Sequence, residues 1–248
     1  MDLKEEAILG EAIHRHWYYV SKGRALARFL GGVPGCEILD VGAGSGIFSK
    51  MLLERGLITR STCVDTGYPA DRDETHAGRP LAFRRSVTAT DASLILMMDV
   101  IEHVDDDVGL LAHYASMLPP GGQVLVTVPA FQALWSGHDV FLEHKRRYTL
   151  AQVEAVTRQA GLEVVRGSYY FGFVLPLAAA VRLGDRGTAP KSGMSAHHPL
   201  VNAALIAVNA LELPLMRLNR LGGLSVFCLA RKGRSARRAD PPDDGCSP

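Results

Sequence analysis

The run Glu37-Ile-Leu-Asp-Val-Gly-Ala-Gly-Ser-Gly-Ile-Phe-Ser-Lys50 sets a buried-type strand, a glycine-rich turn and a helix start in immediate succession. Ile38, Leu39 and Val41 supply the apolar strand, Gly42, Gly44 and Gly46 the turn, and Ile47 to Leu53 the helix. At such a junction backbone N–H groups point out of a helix N-terminus, and missing Cβ atoms let a ligand come close. Two ligands use this geometry: a dinucleotide pyrophosphate and the amino-acid end of S-adenosylmethionine. A dinucleotide site wants its third glycine one residue later, where Ile47 stands. Asp40 lies inside the run, and its carboxylate would repel pyrophosphate but accept from the ammonium of a bound amino acid. The residues therefore predict an S-adenosylmethionine site, with Asp40, Gly42, Ala43, Gly44 and Gly46 holding the methionine part.

Outward from this run the same architecture repeats. Ser61-Thr-Cys-Val-Asp65 forms a second strand ending in an acid, placed to accept from ribose hydroxyls. Leu94-Ile-Leu-Met-Met-Asp-Val-Ile-Glu-His-Val104 is a third apolar run, broken by Asp99. In an open parallel sheet the ligand crevice lies beyond the C-terminal strand ends, so Asp99 to His103 should face it, Asp99 and Val100 on the adenosine side. Gly121-Gly-Gln-Val-Leu-Val-Thr-Val-Pro129 is a fourth strand, entered from a Pro-Pro-Gly-Gly turn.

With these motifs the chain resembles a class I S-adenosylmethionine-dependent methyltransferase of the methyltransferase-11/12 type. The match runs from about residue 15 to about 170, with a last strand near 224 to 231. It implies a Rossmann-like, doubly wound seven-stranded α/β sheet with N-terminal helices and a helical insertion before the last strand. The implied limits are a cap over 1–34, a methyltransferase domain over 35–231 with an insertion or lid at about 170–222, and a disordered tail over 232–248. His16-Trp-Tyr-Tyr19 with Lys22, and Leu134-Trp-Ser-Gly-His-Asp-Val-Phe-Leu-Glu-His-Lys-Arg-Arg-Tyr-Thr149, are similar to a bacterial subgroup tied to envelope glycans or natural products. Tyr18 and Lys22 would close over the cofactor's methionine end. The family's usual adenine-binding acid after the third strand is replaced by Ser86 or Val87, with Asp91 as the stand-in.

Composition narrows the partners. A net charge of +1 gives no basic field for nucleic acid, and four scattered cysteines without C-x-x-C spacing point to reduced thiols in the cytoplasm. The acidic, helical start Met-Asp-Leu-Lys-Glu-Glu is not a secretory signal. Two apolar stretches, Phe171 to Leu183 and Pro199 to Leu218, interrupt the sheet pattern around a polar link, Gly184 to His198. Asn202, Asn209, Glu212, Pro214 and Arg217 argue against a spanning helix. Two readings remain, a helical cap on the sheet or an apolar lid over a lipophilic substrate, resting peripherally on the inner membrane face.

Methyl transfer to a hydroxyl needs a positioned proton acceptor, for which histidine is suited. Ser136-Gly-His-Asp139 and Glu143-His144 put two imidazoles beside two carboxylates beyond a strand end. His138 is the expected base with Asp139 orienting it, His144 the reserve, and His103 a further candidate. The competing reading joins His144, Arg147 and Tyr148 in a structural cluster that fixes the loop. Arg146 and Arg147, with Tyr148, are candidates to grip a phosphate or carboxylate of the acceptor. Glu102, His103, His138, Asp139 and His144 match no metal-ligand spacing, so no metal is expected. The expectation is O-methylation of a small or lipophilic acceptor such as a lipid-linked sugar or a natural product. The alternatives are C- or N-methylation of a specialised metabolite, or a non-catalytic cofactor-binding subunit.

Overall fold

The structure, a computed structural model, describes residues 3–31, 35–184, 192 and 197–233. Most of the polar link and nearly all of the expected disordered tail lie outside these residues. Three N-terminal pieces come first: α1 (Leu3–Leu9), a 3-10 segment (Gly10–Arg15) and α2 (Trp17–Leu30). The glycine run then folds as expected, from β1 (Cys36–Val41) into α3 (Ile47–Glu54), followed by β2 (Ile58–Val64). Next come β3 (Arg72–His76), β4 (Arg79–Arg84), β5 (Leu94–Met98), α4 (Asp107–Met117) and β6 (Gln123–Pro129). The second half holds α5 (Gly137–Phe141), α6 (Leu150–Gln159), β7 (Leu162–Tyr170), α7 (Leu175–Gly184), α8 (Pro199–Glu212) and β8 (Ser225–Lys232).

The strands form one sheet in the order β3-β4-β2-β1-β5-β6-β8-β7. β4, β2, β1, β5 and β6 run parallel, while β3, β8 and β7 join antiparallel. The chain winds outward from β1 through β2 to β4, then returns to β5 on the other side of β1. That reversal opens a crevice beyond the C-terminal ends of β1 and β5, where Gly42 and Asp99 stand.

The sheet has eight strands, one more than expected. The extra strand, β3, is made by a two-residue hairpin whose central residues, Ala77 (φ 50°) and Gly78 (φ 72°), both lie in the left-handed region that matches strand twist. Its exposed Arg-Asp-Glu-Thr-His sequence covers the sheet edge with charge. A second difference follows it. Residues 85–93 carry no helix but run back along the sheet, and Asp91 lies in a groove of about 440 Å³ with Glu37 and Ile38, at the start of β1. Asp91 is thus at the opposite end of the strands from the glycine turn and does not stand in for the adenine acid.

Alternation along the strands feeds two cores. Ile38, Leu94, Leu96 and Met98 pack with Leu26, Phe29, Leu52 and Phe227 on one face. Leu39, Ile95 and Met97 pack with Leu111, Val124, Val126 and Val153 on the other. Both faces being covered explains why β1 and β5 lack polar alternation. α6 is opened by a reciprocal cap, in which the Gln152 N–H donates to the Thr149 hydroxyl and the Thr149 N–H to the Gln152 side chain.

α8 has its faces reversed relative to a solvent-facing helix. Its polar residues point inward: Asn202 accepts from the Trp17 N–H at 2.8 Å and donates to the Arg15 carbonyl, and the Glu212 carboxylate accepts from the Gly172 and Phe173 N–H groups. Leu200, Val201, Val208 and Leu211 point out, while Leu205 packs against the core. Among the described residues no helix is long and apolar enough to cross a membrane.

Candidate active site

The glycine turn is bent by three left-handed residues, Gly42 (φ 65°), Gly44 (φ 54°) and Gly46 (φ 72°). A Cβ on Gly42 would lie 2.7 Å from a Val100 methyl, so the turn needs glycine there for space as well as for backbone angle. The Gly42 N–H donates to the Val64 carbonyl at 2.7 Å, tying the turn to the end of β2. Asp65 completes the tie: its carboxylate accepts from the Gly44 N–H at 3.1 Å and the Gly67 N–H at 2.9 Å, and it stays partly exposed at the strand tip. Asp40 is buried behind the turn, where Ser49 donates to it at 2.6 Å. Asp40, Gly42 and Ala43 line one wall of a cleft; Met98, Asp99, Tyr18, Tyr19, Phe48 and Glu5 line the rest.

Asp99 ends β5 in the left-handed region (φ 57°) and is held from three sides. Thr127 donates to one oxygen at 3.0 Å, Tyr18 donates to the other at 3.2 Å, and the fully buried Lys22 ammonium donates to that same oxygen. Lys22 also donates to the Tyr18 hydroxyl at 2.9 Å. Burial alone would lift the Asp99 carboxyl and lower the Lys22 ammonium. Their mutual attraction outweighs it, holding Asp99 below the usual carboxylate range and Lys22 above the usual lysine range. Tyr18 thus lines the cleft, while Lys22 lies buried behind it and meets it through Asp99. Asp99 faces the cleft that Gly42 also lines, and Val100 lies against Gly42.

Phe131 (φ 59°) and Phe171 (φ 66°) are also left-handed, each just past the end of a strand, β6 and β7. Of these, Asp99 brings left-handed backbone to the cleft lining and Phe171 to the Tyr18 ring beside it. Phe171 stacks on Tyr18 with centroids 5.3 Å apart and planes at 16°.

The histidine-rich loop is arranged differently from the expectation. Asp139 does not orient His138. Its buried carboxylate accepts from Arg147 through Nε at 2.7 Å and a terminal nitrogen at 2.9 Å, and pairs with His144 Nδ1 at 2.9 Å. These hydrogen bonds outweigh burial and hold its carboxyl well below the usual range. His138 Nε2 instead lies 3.5 Å from a Glu5 oxygen, and burial with the nearby Arg182 pushes its pKa down to about 4. The Arg182 guanidinium, lowered to about 10 by burial and then Arg147, reaches the Leu134 carbonyl.

The expected phosphate grip is also corrected. Arg147 is spent on Asp139 and the Ala130 carbonyl, Arg146 on Asp107 and the Val104 and Asp105 carbonyls, and the Tyr148 hydroxyl donates to Asp107 at 2.7 Å. These side chains hold the loop together, leaving no fork free for an acceptor.

His144 Nε2 has no hydrogen-bond partner, and neither carboxylate oxygen of the fully buried Glu102 has one. Glu102, His103 and His144 offer ligand atoms within 4.8 Å of one another, the grouping in this region suited to a cation; His138 and Asp139 stand outside it. Burial and Asp99 lift the Glu102 carboxyl well above the carboxylate range, and burial and His144 lower His103 to about 4. The rings of His103 and His144 meet edge to face at 4.8 Å.

Glu5 carried no motif, yet it accepts from the Tyr19 hydroxyl and closes the cleft to about 30 Å³ of free space. Phe171, Thr127 and Arg182 were missed as well.

A family model described as a methyltransferase domain matches residues 14–166, more than half of the chain. The chain is 28% identical over 180 residues to the ubiquinone biosynthesis O-methyltransferase of Aeromonas salmonicida (strain A449), covering 62% of this chain and 73% of that protein. It is similar to a chain of the complex between the Haloferax volcanii Trm112 methyltransferase activator and the putative methyltransferase. There the TM-score is 0.56 at 17% identity, covering 90% of this chain and 93% of that one. Haemonchus contortus phosphoethanolamine N-methyltransferase 2 in complex with S-adenosyl-L-methionine gives a TM-score of 0.51 at 16% identity, over 85% of this chain and 52% of that one. At such identities the solved structures speak for the fold.

Proposed function

The chain belongs to the methyltransferase-domain family, class I and S-adenosylmethionine-dependent, and from that premise we propose that it methylates an oxygen of a small, lipophilic acceptor. The O-methyltransferase relative supports oxygen as the target. The observation that carries the reading is the Asp139–His144 pair, whose outer imidazole nitrogen is left without a partner beside Glu102 and His103.

The cofactor supplies an electrophilic sulfonium methyl. Asp40 and the turn at 42–46 would hold its amino-acid end, and Asp65 its ribose. The acceptor enters between Tyr18, Phe171 and the strand ends, displacing Glu5 from the cleft. Bound cofactor would give its methyl to the acceptor oxygen and keep the electron pair of the broken bond on sulfur, so the acceptor hydroxyl must lose its proton. The hydroxyl proton passes to His144 Nε2. Asp139, fixed by Arg147, holds the ring and stabilises the resulting imidazolium. His138, neutral above about pH 4, lines the acceptor's path without taking the proton. We further place the chain in the cytoplasm, beside the membrane that would carry such an acceptor.

His144→Gln roughly keeps the ring's volume but removes the base. Expected is a fall in kcat of roughly 10²–10⁴ with cofactor Kd unchanged, and a much smaller loss for His138→Gln. The reverse ranking would return the base to His138, and equal kcat in all three proteins would remove histidine base catalysis.

A further inference from the structure

The two helices before β8 present the wrong chemistry to water. On α8, Leu200 (74% exposed), Ala204, Ala207, Val208 and Leu211 (71%) fall on one stripe and point outward. The only charge on that helix, Glu212, is buried beneath it. α7 repeats the pattern one turn apart, with Leu177 and Val181 exposed and Phe173 just before the helix. The Glu212 carboxylate holds the Gly172 and Phe173 N–H groups, so the end of α8 and the start of α7 meet at one point. A water-facing helix places its polar residues outside; here Asn202, Asn209 and Glu212 are turned in. An exposed, charge-free apolar surface of this kind marks an interaction face.

The charges at its border say which one. After α8 the chain reads Arg217-Leu218-Asn219-Arg220-Leu221, with Leu218 80% and Leu221 96% exposed and Arg217 and Arg220 exposed beside them, Arg220 paired with Glu154 at 2.8 Å. Arg217 caps the Arg28 carbonyl and Arg166 caps the Phe29 carbonyl, gathering Arg28, Arg166 and Arg217 at the end of α2. Among the described residues 171–184 and 197–223, the single acid is the buried Glu212. We infer that this face rests on the surface of an anionic phospholipid bilayer, with the leucines entering the acyl boundary and the arginines meeting lipid phosphates. A second copy of the chain would bring the same cations to the contact with no exposed acid there to receive them.

Lying on the surface is the geometry allowed. The 14 residues of α8 span about 21 Å, short of the roughly 30 Å hydrocarbon core. The same face borders the cleft: Phe171, stacked on Tyr18, leads directly into α7, and Trp17 is hydrogen-bonded to α8 through Asn202. A lipophilic acceptor would therefore pass from the bilayer to the strand ends without crossing water. That route rests on the proposed acceptor class; the docking itself does not.

The test is co-sedimentation of the full chain with phosphatidylcholine vesicles, with and without phosphatidylglycerol, alongside cofactor titration of the same samples. Expected is binding that strengthens with phosphatidylglycerol and weakens with salt. Leu211→Glu and Leu218→Glu, both at exposed positions, should each lower it roughly tenfold to hundredfold, the factor set by one leucine no longer buried. Cofactor affinity should stay unchanged in both variants. Normal cofactor binding with no partition into either vesicle overturns the docking and leaves methyl transfer standing. Equal binding to both vesicles overturns the anionic preference. A dimer in sedimentation velocity that Leu211→Glu splits into monomers gives the face to a second copy instead.

Discussion

Replacing Lys22 by methionine removes the one full cation from a buried site while keeping the side chain's length. The ammonium is fully buried and donates to both Asp99 and Tyr18, so the variant strands a carboxylate held otherwise by two neutral hydroxyls. Breaking one partner from a buried ion pair costs about 3–5 kcal/mol. For a chain of this size that is a fall in Tm of roughly 6–20 °C. The pH dependence carries a sign. In the native protein the lowered Asp99 carboxyl contributes stability above its unfolded pKa of about 3.9, lost as pH falls through the still lower folded value. Without Lys22 burial is opposed only by the hydroxyls and the weaker pull of His144, so burial dominates and the carboxyl moves up. The folded variant then takes a proton that the unfolded chain does not, and its deficit shrinks between pH 7 and pH 5. Urea unfolding at both pH values measures this. The double variant Lys22→Met/Asp99→Asn should recover most of the loss, because asparagine tolerates the left-handed backbone and needs no counter-ion. A loss under about 1 kcal/mol at pH 7, or a double variant no more stable than the single, would refute the reasoning.

Two further substitutions probe the site's scaffolding. Arg147→Ala leaves the Asp139 carboxylate without its two-pronged partner and should cost about 3–5 kcal/mol in urea unfolding, with the acceptor KM of the folded fraction little changed; a raised KM at native stability would restore the phosphate-grip reading. Gly42→Ala places a methyl 2.7 Å from Val100 on a left-handed backbone and should weaken cofactor binding at least about tenfold by calorimetry; unchanged affinity would mean that the turn is not where the cofactor's methionine end lies.

The parts of this protein that were legible from sequence are those governed by local chemistry. A glycine turn must follow its strand, an acid must end β2, and apolar runs without alternation must be covered on both faces; Asp40, Asp65 and Asp99 were placed at the crevice on those grounds. The hairpin at Ala77–Gly78 was local too, but an Ala-Gly pair is a weaker turn signal than Asn-Gly, and it passed unnoticed. What sequence order could not show is partner choice at a distance. Asp139 had two nearby histidines to choose from, and sequence adjacency favoured His138. The helical turn of α5 instead puts His144 and Arg147 against it. Lys145-Arg-Arg147 looked like a single cationic patch, yet each of its three side chains meets a different neighbour, Asp105, Asp107 or Asp139. Glu5 reaches the cleft from the first helix, a contact that no motif spacing encodes. The reversed faces of α8 were visible in outline as apolar stretches with isolated polar residues; only the packing against α2 showed which side faces out.

The most direct test incubates the purified full chain with S-adenosylmethionine and lipid-extracted, hydroxyl-bearing acceptors, and follows both products by mass spectrometry. The account predicts S-adenosylhomocysteine and an acceptor one methyl group heavier at oxygen, in equal amounts, with both lost together in His144→Gln. Methylation at carbon or nitrogen, or tight cofactor binding with no product from any acceptor pool that other O-methyltransferases consume, would contradict it.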